Sequence, residues 1–129
     1  MAQRRHYVFI SGPYVGEYTH DAASYFKIQA NITRVHEVSA ALARLGYGFF
    51  APHVHSAHNE VIMPEVLPEY WYELDCHFLR ACDALLVLPG YSKGVEKEME
   101  LARSLGMPVF HNLLDLIEDF PAWKVRNDT

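Results

Sequence analysis

The run Ala84-Leu-Leu-Val-Leu88 passes through Pro-Gly-Tyr-Ser-Lys-Gly94 into a segment with helical spacing, Val95 to Leu105. An unbroken apolar run of this length, bounded by turn residues, reads as a strand buried on both faces. A buried strand, a tight turn and an amphipathic helix in succession form the repeating unit of a parallel α/β sheet. The turn also offers free backbone N–H groups and the positive end of a helix dipole, both suited to a phosphate or carboxylate.

The same alternation runs along the chain. Tyr7-Val-Phe-Ile10 reads as a first buried strand, ending in the turn Ser11-Gly-Pro-Tyr-Val-Gly16. A helix from Asp21 to Leu45 follows and stops at Gly46, a natural C-terminal cap. Tyr47–Ala51 is strand two, and Pro52 to Leu67 reads as a loop or lid. Pro68 opens a helix to Ala81, Asp83 to Leu88 is strand three, and Lys93 to Leu105 is the helix already described. Pro108–His111 is strand four, Leu113 to Phe120 a short helix, and Lys124 to Thr129 a frayed polar tail. Right-handed crossovers then predict one α/β domain over residues 1–129, a three-layer sandwich with a doubly wound parallel sheet of order 2-1-3-4, Rossmann- or flavodoxin-like. Its ligand site belongs beyond the carboxyl ends of the strands, at the switch between strands one and three. Ser11 to Gly16, Pro52 to His58 and Pro89 to Glu98 are expected to converge there.

Composition narrows the partners. A net charge of −5 argues against a nucleic-acid polymer or a membrane surface as partner. The two cysteines, Cys76 and Cys82, lie six apart in one expected helix and point in different directions, so they read as free thiols of a reducing compartment. The opening Met1-Ala-Gln-Arg-Arg leads into a strand too short for an export segment, and no apolar run approaches a membrane span. A cytoplasmic location is the expectation.

Two carboxylates break apolar stripes. In the helix after Lys93 the stripe is Val95, Met99, Ala102 and Leu105, and Glu98 falls inside it, while Glu96, Lys97, Glu100 and Arg103 occupy the solvated faces. In the helix from Pro68 the stripe is Trp71, Leu74, Phe78 and Cys82, and Asp75 interrupts it in the same way. Each alone reads equally as a boundary carboxylate bonded to a nearby N–H. Two of them aimed at one sheet edge suggest a pair with separated pKa values that divides the work of nucleophile and acid.

The eight histidines invite a metal reading, above all His53, His55 and His58 in His-Val-His-Ser-Ala-His. A metal needs three converging ligands, and the chain has neither His-Glu-x-x-His nor a CxxC pair, so no metal is expected. His53 reads as a polar contact to the ligand and the other two as solvated. The first turn lacks G-x-G-x-x-G, which argues against a dinucleotide cofactor.

Ser11-Gly-Pro-Tyr14, Asp75 and Asp83 eight apart, and Pro89…Ser92-x-Gly94-x-x-x-Glu98-x-x-x-Ala102 together resemble the nucleoside 2-deoxyribosyltransferase superfamily over roughly Tyr7 to Phe110, with a Ser-Gly-Pro-Tyr start shared by a small subgroup. The resemblance implies that Glu98 attacks the anomeric carbon of a nucleoside and that Asp75 handles the proton of the departing base. Asp83 matches a structural position at the start of strand three. Ser-x-Gly at Ser92 and Gly94 is similar to the branch that hydrolyses nucleoside 5′-monophosphates, whereas a plain helix N-cap is the other reading of Ser92. That branch has a more polar first loop with an arginine, where this chain has Pro13, Tyr14 and Val15.

The expected activity is therefore cleavage of the N-glycosidic bond of a nucleoside or its 5′-monophosphate, by an N-glycosidase or a deoxyribosyltransferase that passes the sugar to water or another base. Glu98 and Asp75 are the expected catalytic residues. Ser11, Gly12, Tyr14, His53, Ser92 and Gly94 are the expected substrate contacts, with Phe50, Tyr70 and Trp71 as further aromatic candidates. No cofactor is implied, and a homodimer or higher homo-oligomer is expected. The alternative is a non-catalytic nucleotide-binding sensor or partner protein of the same fold.

Overall fold

The computed structural model describes residues 3–13, 22–55, 62–90 and 92–125. Its central sheet joins β2 (Tyr7–Ser11), β3 (Gly48–Phe50), β4 (Ala84–Val87) and β5 (Val109–Phe110), all parallel, in the order β3-β2-β4-β5. In the sequence's own strand count this is 2-1-3-4, the order expected. Registers such as Phe9 opposite both Phe50 and Leu85 place β2 at the centre.

Alternation along the strands sorts the core into two faces. Val8 and Ile10 of β2, Leu86 of β4 and the adjacent Leu88 pack with Val35 and Leu42 of α1 (Ala22–Arg44) and Leu116 of α5 (Leu113–Asp119). Phe9, Leu85 and Val87 face the other way, onto Leu79 of α3 (Pro68–Arg80) and Val95 and Ala102 of α4 (Lys93–Ser104). Burying each such Leu or Phe contributes about 1.5–3 kcal/mol, so the helices are held by these stripes more than by intrinsic propensity. The result is the three-layer α/β sandwich. Because β2 alternates, Ser11 points to the same face as Phe9, toward α4.

Three features depart from the sequence reading. Trp123–Val125, which overlaps the expected polar tail, is a strand (β6) paired antiparallel with β1 (Gln3–Arg5). Pro52–His55, expected as the start of a loop, is a short helix, α2. Cys82 lies past the end of α3 rather than within it, although both cysteines are free as expected. The β1–β6 ribbon clasps the amino end of the sheet. The Arg5 guanidinium lies 4.2 Å from the centre of the Trp123 ring and donates to the Gly46 carbonyl. Gly46, with φ 94°, is the positive-φ residue that ends α1. Asp83 accepts from the Tyr7 N–H at 2.8 Å and pairs with Arg4 at 2.8 Å, which makes it a structural residue at that end.

Among the described residues no helix is long and apolar enough to cross a membrane.

Candidate active site

At the carboxyl edge of the sheet the chain leaves β2 through Ser11-Gly12-Pro13 and leaves β4 through Leu88-Pro89-Gly90. These turns are in contact. A Cβ on Gly12 would lie 3.2 Å from that of Leu88, and one on Gly90 would come within 2.6 Å of the Pro13 ring. Gly90 also has φ 117°, a conformation open to glycine and strained for other residues. The close fit of the two turns therefore depends on Gly90.

Glu98 sits on the inner face of α4, only 8% exposed, one turn in from the helix start. Its Oε1 accepts from the Ser11 hydroxyl at 3.1 Å, while Oε2 is buried with no hydrogen-bond partner. Burial, followed by the nearby charge of Asp75, pushes the Glu98 pKa up to about 8, and the Ser11 hydrogen bond works against that rise. Asp75 on α3 is raised to about 6 by burial. The two groups that broke the apolar stripes are thus close enough for one charge to oppose the other. The pair holds one proton between about pH 6 and 8, and its titration belongs to both groups. The Ser11 hydrogen bond favours the charged form of Glu98 within that shared titration.

Sequence reasoning missed Tyr72 beside this pair. Its hydrogen bond with Cys76, then burial and the charges of Cys76, Glu98 and Glu100, push the phenol up to about 12. The Lys97 ammonium lies 5.0 Å from its ring centre. Tyr72 is one of several aromatics in its helix, and only the fold separates it from them.

The remaining expected contacts fall as follows. Ser11 and Gly12 are at the site. Ser92 is the N-cap of α4 and accepts from the Val95 N–H at 3.1 Å; Gly94 follows in the first turn and is exposed. His53, expected to face a ligand, is 3% exposed, and its Nε2 donates to the Pro13 carbonyl at 2.9 Å. It pins the first loop to α2, and burial lowers its pKa, so the ring is neutral. Phe50 stacks on Phe78 at 4.5 Å within the core. Tyr70 is exposed and lies edge-on to Trp71. Tyr14 and His58 lie outside the described residues. Among the described residues no three His, Cys, Asp or Glu side chains are grouped to hold a metal.

A cleft of about 500 Å³ runs along α4 from the turn at Pro89, Gly90 and Ser92, floored by Val95 and Met99 and rimmed by Arg103 and His111. Neither Glu98 nor Asp75 lines it. The chemistry is placed on the carboxylate side, because there a buried carboxylate oxygen lacks a partner beside a second raised carboxyl.

The model of a family described as "Domain of unknown function (DUF1937)" matches residues 6–113. Among solved structures, a 2-deoxyribosyltransferase from Bacillus psychrosaccharolyticus superposes with a TM-score of 0.53 at 18% identity, covering 84% of this chain and 78% of that one. At that identity the likeness shows the fold. A search of curated proteins finds no match.

Proposed function

This chain belongs to the family of the DUF1937 domain, and on that premise we propose that it cleaves the N-glycosidic bond of a nucleoside or nucleoside 5′-monophosphate. The observation that carries the reading is the Glu98–Asp75 pair at the carboxyl edge of the sheet, with Glu98 Oε2 buried and unpartnered. The shared fold with a 2-deoxyribosyltransferase supports it.

In this reading Glu98 attacks C1′ as the C1′–N bond breaks, and the bond's electron pair leaves with the base. Asp75 gives its proton to the departing base nitrogen. The sugar is left as an ester on Glu98. Water or a second base then attacks C1′, Asp75 takes the proton that the incoming group loses, and Glu98 is released. The step requires the shared proton on Asp75 and the charge on Glu98. A substrate brings this about because an oxocarbenium-like C1′ favours the carboxylate beside it, and the Ser11 hydroxyl already favours the ionised form. Ser92 and Gly94 contact the sugar or its 5′ substituent from the turn. His53 acts on the first loop rather than on the ligand. Assembly into a homo-oligomer belongs to the same proposal.

The test is a panel of nucleosides and 5′-monophosphates incubated with the protein, with and without a second base, and free base read by chromatography. The reading expects base release from at least one substrate and its loss in Glu98→Ala. Binding of a nucleotide without release of base from any member would favour the sensor alternative.

A further inference from the structure

We propose that Arg34 forms an anion subsite at the carboxyl edge of β3, taking a phosphate-class oxyanion on its guanidinium. α1 has 23 residues, about 34 Å at 1.5 Å each, against five residues for β2. Its amino-terminal half therefore outruns the sheet. Arg34 flanks the buried stripe of Ile28, Ile32 and Val35 and is itself half-buried. Nη2 donates to the Asn31 side-chain oxygen at 3.1 Å, one turn back. Nε is buried and has no hydrogen-bond partner. Among the described residues the only carboxylate ion pair is Arg4 with Asp83, at the other end of the sheet. α1 packs against α2, and the Arg34 charge reaches His53, whose neutral ring supplies no balancing negative charge.

A guanidinium stays charged at every accessible pH and presents its donors in a fork that matches two oxygens of a phosphate. Holding one half-buried with an unpaired inner N–H carries a penalty that an arriving oxyanion removes. Asn31 limits how far the guanidinium can turn away, so the fork is partly oriented in advance. The turn at Ser92 is a weaker phosphate cradle, since Glu96 and Glu98 stand in the first turns of the helix.

The route Glu98, Ser11, Gly12, Pro13, His53 runs along one sheet edge by two hydrogen bonds and a short stretch of chain. Arg34 lies on the α1 side of that edge and the carboxylate pair on the α3–α4 side. A ligand bearing a phosphate and a glycosidic bond would lie across the Ser11–Pro13 segment. That use of the subsite rests on the function proposed above; the subsite itself does not.

The experiment measures melting temperature in inorganic phosphate against chloride of equal ionic strength, for wild type, Arg34→Gln, Arg34→Lys and the control Arg103→Gln. Phosphate at about tenfold excess over Kd is expected to raise the wild-type Tm by about 4–7 °C beyond chloride. Arg34→Gln should lose the increment, Arg34→Lys should keep part of it, and Arg103→Gln should keep all of it. Titration of a nucleoside and its 5′-monophosphate then separates sources. If the anion is the substrate's own phosphate, Arg34→Gln weakens the monophosphate about tenfold or more and leaves the nucleoside unchanged. If it is free phosphate, inorganic phosphate binds alongside either ligand. No phosphate effect beyond chloride, or an increment that survives Arg34→Gln or vanishes in Arg103→Gln, overturns the subsite. Base release in the panel above fails or succeeds independently of this readout.

Discussion

The two ends of the sheet treat buried polar groups in opposite ways. At the amino end every such group named here has a partner. His6 bonds the Pro121 carbonyl at 2.6 Å and stacks on Phe120 with ring centres 4.2 Å apart. The Tyr47 hydroxyl donates to the Phe120 carbonyl, Arg5 to that of Gly46, and Asp83 takes both Arg4 and the Tyr7 N–H. At the carboxyl end, Glu98 Oε2 and Arg34 Nε are buried and unpaired. Satisfied polar groups fix the closure of a fold, whereas orphaned ones carry a standing cost that a ligand can relieve. The amino end is read as structure and the carboxyl end as function.

The sharpest way to break that contrast is at Asp75. Asp75→Asn removes the proposed proton donor and is expected to slow base release by about 10²–10⁴-fold. The loss should shrink for a nucleoside whose base leaves easily without protonation. An equal loss on both substrates, measured as kcat/KM, would show that Asp75 does not handle the base.

The second effect is on stability and needs no substrate. Glu98 has a folded pKa of about 8 against 4.5 in a free chain, so the unfolded state ionises first as pH rises. Glu98 therefore costs the fold nothing below about pH 4.5, and an increasing amount up to about pH 8. Glu98→Gln should match wild type near pH 4 and exceed it at pH 9, by on the order of 2–4 kcal/mol in denaturant melts. A constant difference across pH would mean that the carboxylate is not held in a desolvated site.

The reverse behaviour is expected at the other end. His6→Ala should lower stability by about 1–3 kcal/mol, through the lost stack and the Pro121 carbonyl left unpaired. Base release per folded molecule should be unchanged. A change in kcat at full folding would mean that the two ends are coupled.

The smallest effect belongs to Ser11. The pair predicts a bell-shaped rate profile with limbs near pH 6 and 8, since activity requires one shared proton. Ser11→Ala removes the hydrogen bond that favours ionised Glu98, so the alkaline limb should move upward by about 0.5–1 pH unit. A downward shift would contradict the assigned direction.

Much of this was legible in the residues. The strand order followed from Gly-punctuated alternation, and Glu98 and Asp75 stood out because each breaks a stripe of period 3.6. The β1–β6 ribbon was not legible. Gln3-Arg-Arg5 and Trp123-Lys-Val125 are three residues each, too short to show alternation, and they pair across nearly the whole chain. The bond of His53 to the first loop was not legible, because a histidine buried against a backbone carbonyl and one facing a ligand look the same in sequence. Arg34 lies beside an apolar stripe like any solvated cation, and only its position against α2 reveals the unpaired Nε.

The central claim is that the orphaned carboxylate of Glu98 is the group that takes the sugar. The direct measurement is rapid acid quenching of protein turning over its best substrate, followed by digestion and mass spectrometry. The account predicts a mass increment of one glycosyl residue on the peptide carrying Glu98, absent in Glu98→Gln. Base release with no adduct, or with the adduct on another side chain, would contradict it.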